Sequence, residues 1–245
     1  MLFLFDVDGT LTIPRKKIEN DMYLFLTEIR KIPGLQLGIV GGSDYHKILE
    51  QVTPDIANIF DYVFSENGMV LHQKGKCIHQ HSLKTFFSQS TLNSFVSECL
   101  LYISHLDIPV KTGTFVEFRN GVINVSPIGR NCSQEERDEF EKYDHQHLIR
   151  KKMIEHLKNK FPDLEFDYSI GGQISFDVFK SGFNKTYCLP FIQESDEIHF
   201  FGDKTFEGGN DYEIFIDNRV HGHSVNSYLD TIKICRSILS DYQLL

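Results

Sequence analysis

The sequence predicts an α/β fold: a Rossmann-like parallel-sheet core with a smaller α+β domain, an antiparallel sheet plus helices, inserted into it. Three observations predict it. Short apolar runs alternate with amphipathic stretches at both ends of the chain, the pattern of strand–helix–strand units. The middle of the chain carries hairpin signals and alternating strands instead. Two apolar runs, Leu2–Phe5 and Glu197–Phe201, each lead into an aspartate, at the edge where parallel sheets hold their ligands.

Leu2-Phe3-Leu4-Phe5 reads as a buried strand that runs directly into Asp6-Val7-Asp8-Gly9-Thr10-Leu11-Thr12. Residues 17–32 follow with helical spacing at Ile18, Met22, Phe25, Leu26 and Ile29, and Pro33-Gly34 ends them. Residues 35–40 make a second strand that delivers Gly41-Gly42-Ser43-Asp44 to the same edge through a right-handed crossover. A helix is expected over Tyr45–Val52, a third strand over Asp61–Phe64, and a hairpin around Gln73-Lys74-Gly75-Lys76.

The insertion is expected over residues 82–183, with the core built from residues 1–81 and 184–245. It opens on a helix over Leu92–Leu106. A hairpin turns at Asn120-Gly121, and a long charged helix over Ser133–Phe161 begins with the capping box Ser133…Glu136. Two further strands lie near 165–169 and 173–179. The parallel pattern then resumes with a short helix near 184–192, a strand ending at Gly202-Asp203-Lys204, the loop Gly208-Gly209-Asn210-Asp211, two short apolar segments and a closing helix over Ser227–Leu239.

Asp6 and Asp8 lie two apart, so in extended chain both carboxylates project to one side. Such a pair repels unless a cation neutralises it, and Mg²⁺ suits the position because it takes one or two carboxylates and accepts phosphate oxygens. One aspartate can then attack phosphorus while the other handles an alcohol proton. Asp203 has the same setting and is expected to join the metal, with Asn210 and Asp211 ligating it or orienting a ligand. Ser43 is balanced between a phosphate hydrogen bond and a helix cap.

In the insertion, Arg119, Arg130 and Arg137 surround a strand, Ile174-Ser175-Phe176-Asp177-Val178, whose alternation puts Ser175 and Asp177 on one face. Arginine forks phosphate, and Ser and Asp bond hydroxyls, so this face is read as a site for a phosphorylated sugar.

A net charge of −9 argues against nucleic-acid or anionic-membrane binding. The chain opens on a predicted strand, so no leader peptide is expected, and no run reaches membrane-span length. Five dispersed cysteines without a CxxC suggest reduced thiols and a cytoplasmic protein. The His145/His147 and His221/His223 pairs lack companion ligands and are read as exposed histidines, not zinc ligands.

The stretches 5–12, 40–44, 113–121, 124–137, 169–179 and 200–215 together resemble the eukaryotic-type phosphomannomutases of the haloacid-dehalogenase-like superfamily. The resemblance implies Asp6 as nucleophile, Asp8 as acid/base, and Asp203 with them at Mg²⁺. It moves Ser43 toward phosphate contact and Lys185 toward charge neutralisation. It adds Arg15 to Arg119, Arg130, Arg137, Ser175 and Asp177 as substrate-binding residues, and implies a second cation site at Phe215, Asp217 and Val220. It further implies an isomerase that interconverts mannose 6-phosphate and mannose 1-phosphate for GDP-mannose synthesis. A hexose 1,6-bisphosphate would be its activator and intermediate, and the protein would be a homodimer joined through its inserted cap domains. A sugar-phosphate phosphatase of the same fold and a non-catalytic sugar-phosphate-binding module are the rival readings.

Overall fold

The computed structural model describes residues 1–192 and 197–244. It divides into two compact units, Met1–Gln80 with Phe183–Leu245, and His81–Gly182.

The first unit is a seven-stranded sheet. Its strands are β1 (Leu2–Phe5), β2 (Gln36–Val40), β3 (Tyr62–Ser65), β4 (Val70–Gln73), β5 (Lys76–Gln80), β10 (Ile198–Gly202) and β11 (Val220–Ser224), in the order β11-β10-β1-β2-β3-β4-β5. The strands from β11 to β3 pair in parallel, and β4 and β5 add an antiparallel edge. Because side chains alternate along a strand, β1 feeds two cores at once. Phe3 and Phe5 pack with helices α1 (Asn20–Ile29), α2 (Tyr45–Val52), α3 (Pro54–Ala57) and α9 (Tyr228–Asp241). Leu2 and Leu4 pack on the opposite face with Cys188 and Leu189 of a 3₁₀ stretch, Lys185–Phe191, and with Ile214 of α8 (Tyr212–Phe215). Burial on both faces explains why the strand reads as an uninterrupted apolar run.

The second unit is the antiparallel sheet β6-β7-β9-β8, formed by β6 (Val116–Phe118), β7 (Ile123–Val125), β9 (Ser175–Lys180) and β8 (Phe166–Gly171). One face carries Ile123, Val125, Phe176 and Val178 against α4 (Leu83–Phe86), α5 (Gln89–His105) and α7 (Ile149–Lys160). The alternate residues leave the other face polar.

Three expectations are corrected. The long helix over 133–161 is two helices, α6 (Gln134–His147) and α7, because Leu148 takes a left-handed conformation with φ 55°. The Asp144 carboxylate fixes the break by accepting from the Arg150 backbone N–H at 2.8 Å and its Nε at 2.7 Å. The segment at 212–216 is a helical turn and not merely apolar chain. His223 is half-buried, stacked on Phe201 at 4.8 Å and within 3.0 Å of His199, whereas His145, His147 and His221 are exposed. Among the described residues no helix is long and apolar enough to cross a membrane.

Candidate active site

Asp6 leaves β1 with its backbone N–H bonded to the Phe201 carbonyl on β10, so the parallel pairing that fixes β1 also fixes this side chain. The chain turns at once, because the Val7 carbonyl accepts from the N–H groups of Thr10, Leu11 and Thr12. Asp6 is buried, and so is Asp211. Asp203 follows the end of β10 with its side chain 16% exposed. Carboxylate oxygens of Asp6, Asp203 and Asp211 lie within 4.8 Å of one another.

Two glycines permit this convergence. A Cβ on Gly9, whose φ is +83°, would stand 2.6 Å from Asp203 Oδ2. A Cβ on Gly202 would stand 2.7 Å from Asp211 Oδ2. The DxDG and strand–Gly–Asp patterns of the sequence thus have a steric cause: any side chain at either position would push an acid out of the cluster.

Lys185 is the counter-charge. Its Nζ, 1% exposed as a side chain, lies 2.5 Å from Asp6 Oδ1 and 2.5 Å from Asp211 Oδ1. Burial pushes the Asp6 carboxyl well above its ordinary range; Lys185 opposes this, while Asp211 and Asp203 add to it. Burial, then Asp211, raise Asp203 to about 6. Burial alone would lower the Lys185 ammonium, but Asp211 and Asp6 outweigh it and raise it.

Three carboxylates against the Lys185 ammonium and that of Lys204, 3.6 Å from Asp203 Oδ2, still leave negative charge that a further cation would neutralise. The donors are hard oxygens, and the buried Oδ1 of Asn210 beside Asp211 has no hydrogen-bond partner among the described residues. The set fits a hard divalent cation. Asp211, expected to ligate or orient from outside, shares the cluster itself.

Asp8 stands outside the cluster. Its Oδ1 accepts from Gln51 Nε2 at 2.7 Å and from the Arg15 backbone N–H at 2.8 Å. The Arg15 side chain is exposed. Gln51, buried on the inner face of α2 between Ile48 and Val52, was missed by sequence reasoning; a polar residue on an apolar helix face was its only signal. Asp44 caps α2 by accepting from Lys47 N–H at 3.0 Å, which leaves Ser43 half-buried at the end of β2 without the capping role.

At the expected second cation site, the Asp217 carboxylate is engaged within the chain. Arg219 forks the Asp217 carboxylate through Nε at 2.8 Å and Nη2 at 2.7 Å, and these bonds hold that carboxyl below its usual range. The Phe215 carbonyl packs against Gly222, where a Cβ would stand 2.3 Å away, and the Val220 N–H donates to the Asp217 carbonyl.

On the second unit's polar face, Ser175 and Asp177 are buried and adjoin Asn124 of β7. Arg119 and Arg130 lie at the same face, and Arg137 donates from Nη2 to the Arg130 carbonyl at 3.0 Å. Ser169, opposite Asp177 on β8, is buried with no partner for its Oγ among the described residues.

The parallel sheet with its acid cluster and its inserted antiparallel domain is a HAD-superfamily fold. The chain matches the solved structure of a HAD subclass IIB sugar phosphatase with a TM-score of 0.61, over 100% of this chain and 99% of that one, at 15% identity, a likeness of fold. The model of the eukaryotic phosphomannomutase family matches residues 22–241. Phosphomannomutases of Glycine max and Arabidopsis thaliana are 56% and 54% identical over 238 residues, 97% of this chain and 96% of each relative. The chain belongs to the eukaryotic phosphomannomutase family, a family of isomerases.

Proposed function

We propose that this chain interconverts mannose 6-phosphate and mannose 1-phosphate through an aspartyl phosphate on Asp6 and a hexose 1,6-bisphosphate, supplying sugar phosphate for GDP-mannose synthesis. The observation that carries the reading is the buried Asp6–Lys185–Asp211 ion network beside Asp203, in a chain 56% identical to a phosphomannomutase. Lys185 opposes the upward push that burial gives the Asp6 carboxyl, favouring the ionised form that a nucleophile requires. A carboxylate oxygen of Asp6 forms a bond to phosphorus as the bond from phosphorus to the sugar oxygen breaks. Asp8, held by Gln51, gives that oxygen its proton and takes it back from the accepting hydroxyl in the second transfer.

Asp6, Asp203 and Asp211, with Asp8 as the further ligand implied by the resemblance, would hold Mg²⁺, which would supply neutralising charge for the phosphoryl oxygens. Ser43 donates a hydrogen bond to a phosphoryl oxygen. Arg119, Arg130 and Arg137 hold the phosphate that is not reacting, Ser175 and Asp177 bond sugar hydroxyls, and Arg15 is a further substrate-binding residue implied by the resemblance. A mutase needs this second phosphate hold because its bisphosphate must reorient and be rephosphorylated; a phosphatase does not.

The finer readings are a cytoplasmic homodimer joined through the inserted units. Exposed Leu100 and Leu101 on α5 offer an apolar face for the pairing. Light scattering on the purified chain reads the oligomeric state. Phosphorus NMR of mannose 1-phosphate with Mg²⁺ and a trace of hexose 1,6-bisphosphate tests the activity. Growth of mannose 6-phosphate is expected; inorganic phosphate as the main product, unaffected by the bisphosphate, would reject the mutase.

A further inference from the structure

Glu117 and Asn124 have no part in the proposed reaction, yet they join Arg119, Arg130, Ser175 and Asp177 on the second unit's substrate face. They lie directly opposite each other on β6 and β7, and Asn124 lies directly opposite Asp177 on β9. Glu117, Asn124 and Asp177 therefore form one polar row across three strands. One oxygen of Glu117, Oε2, accepts from Arg119 Nη2 at 2.5 Å and Nε at 3.1 Å, and lies 3.2 Å from Arg130 Nε. The two arginine side chains are 7% and 9% exposed, so their repulsion is poorly screened and the carboxylate between them is what lets both stand together.

Asn124 makes the next joint. Its Oδ1 accepts from Arg130 Nη1, while its Nδ2 donates to Asp177 Oδ1 at 2.7 Å and to Ser175 Oγ at 3.1 Å. The chemistry of this position is restrictive. Guanidinium only donates and an ionised carboxylate only accepts, so the group between them must accept on one side and donate on the other. A carboxamide does both in one plane, and its orientation here is fixed by its neighbours.

We propose that Glu117 and Asn124 are the positioning residues of sugar-phosphate recognition: Glu117 sets the spacing of the two phosphate-binding guanidiniums, and Asn124 locks Arg130 to the hydroxyl-reading pair Ser175 and Asp177. This rests on the assignment of those four residues to substrate binding. Neither positioning residue touches the reacting phosphorus. Their loss weakens binding of the sugar phosphate and leaves the chemical step in place.

The test uses Glu117→Gln, which keeps shape and removes charge, and Asn124→Leu, which keeps volume and removes the hydrogen bonds. For each, KM and kcat with mannose 1-phosphate, the calorimetric Kd for inorganic phosphate, and the melting midpoint are measured. The expected result is a rise of about ten-fold in KM and in the phosphate Kd, with kcat within about two-fold of the unaltered protein. Adding Asp177→Ala to Asn124→Leu is expected to raise KM no further than the larger single change, because both cut one network.

Unchanged KM and phosphate affinity would overturn the proposal. So would kcat falling at constant KM together with the melting midpoint, which is the mark of a structural role alone. Should Asn124→Leu not fold, Glu117→Gln, at a side chain 28% exposed, decides the matter by itself. If the unaltered protein releases phosphate in place of isomerising the sugar, the mutase reading fails, while the same rise in phosphate Kd upholds the positioning.

Discussion

At the carboxyl edge of the parallel sheet, the carboxylates of Asp6, Asp203 and Asp211 face one buried ammonium, Lys185, whereas on the second unit's polar face Arg119 and Arg130 share Glu117 and are tied through Asn124 to Ser175 and Asp177. The first region is short of positive charge. Asp6 and Asp203 are pushed upward in pKa, the condition of a site that gains stability when a cation arrives. In the second region Glu117 lies between Arg119 and Arg130 before any ligand is present. In the proposed function the first carries out chemistry on a charged group and the second holds one, and mutations should separate the two by what they change.

The largest expected effect is at the proposed nucleophile. Asp6→Asn should lower kcat by roughly four orders of magnitude or more while phosphate binding, read by calorimetry, changes little. Loss of binding in step with loss of turnover would erase the distinction between the regions. Next is the counter-charge: Lys185→Met strands buried Asp6 and Asp211 carboxylates and should cost about 3–5 kcal/mol in urea unfolding. Millimolar Mg²⁺ should restore part of that loss if the acid cluster is a cation site. On the second unit, Arg130→Ala should raise KM on the order of 100-fold with a smaller change in kcat.

The smallest effect sharpens the pH behaviour of the first unit. Burial, then His199 and His221, push His223 down to about 4, so the folded protein takes up its proton later than the unfolded chain does. Its stability contribution is fully present above the unfolded value of about 6.5 and is lost as pH falls through about 4. Asp203 has the opposite sign. With its pKa raised to about 6, its contribution is full below the unfolded value of about 3.9 and is lost as pH rises through about 6. The two oppose each other in one window. His223→Phe, which keeps the stack on Phe201, should remove acid lability on the order of 1 kcal/mol and expose the carboxylate trend in the metal-free protein. Melting curves between pH 4 and pH 7, with and without Mg²⁺, check both signs.

Much of this was legible in the chain. The apolar run into Asp6, the glycine before Asp203 and the Lys74-Gly75 hairpin turn are local signals, and local geometry reads them directly. The strand pattern of Ile174–Val178 was equally plain, because Phe176 and Val178 alternate with Ser175 and Asp177. The break between α6 and α7 was hidden: no glycine or proline marks Leu148, and the cause is a hydrogen-bonded ion pair between Asp144 and Arg150. The role of Asp211 was hidden for a related reason. Two-residue spacing puts Asp6 and Asp8 together only while the chain stays extended, and the turn centred on the Val7 carbonyl carries Asp8 to Gln51 instead.

The sequence by itself determined which acids end strands, which glycines precede or follow them, where the polar domain is inserted and, through the resemblance, which family the chain joins. Only the tertiary structure decided which carboxylates share a cation's worth of space, that Lys185 bridges two of them, that Arg219 occupies Asp217, and that Glu117, Asn124 and Asp177 stand in one row. Those choices depend on strand register and on side chains distant in sequence, such as Lys185 and Asp6. Local propensity carries no information about either; the pairing of β1 with β10 and of β7 with β9 supplies it.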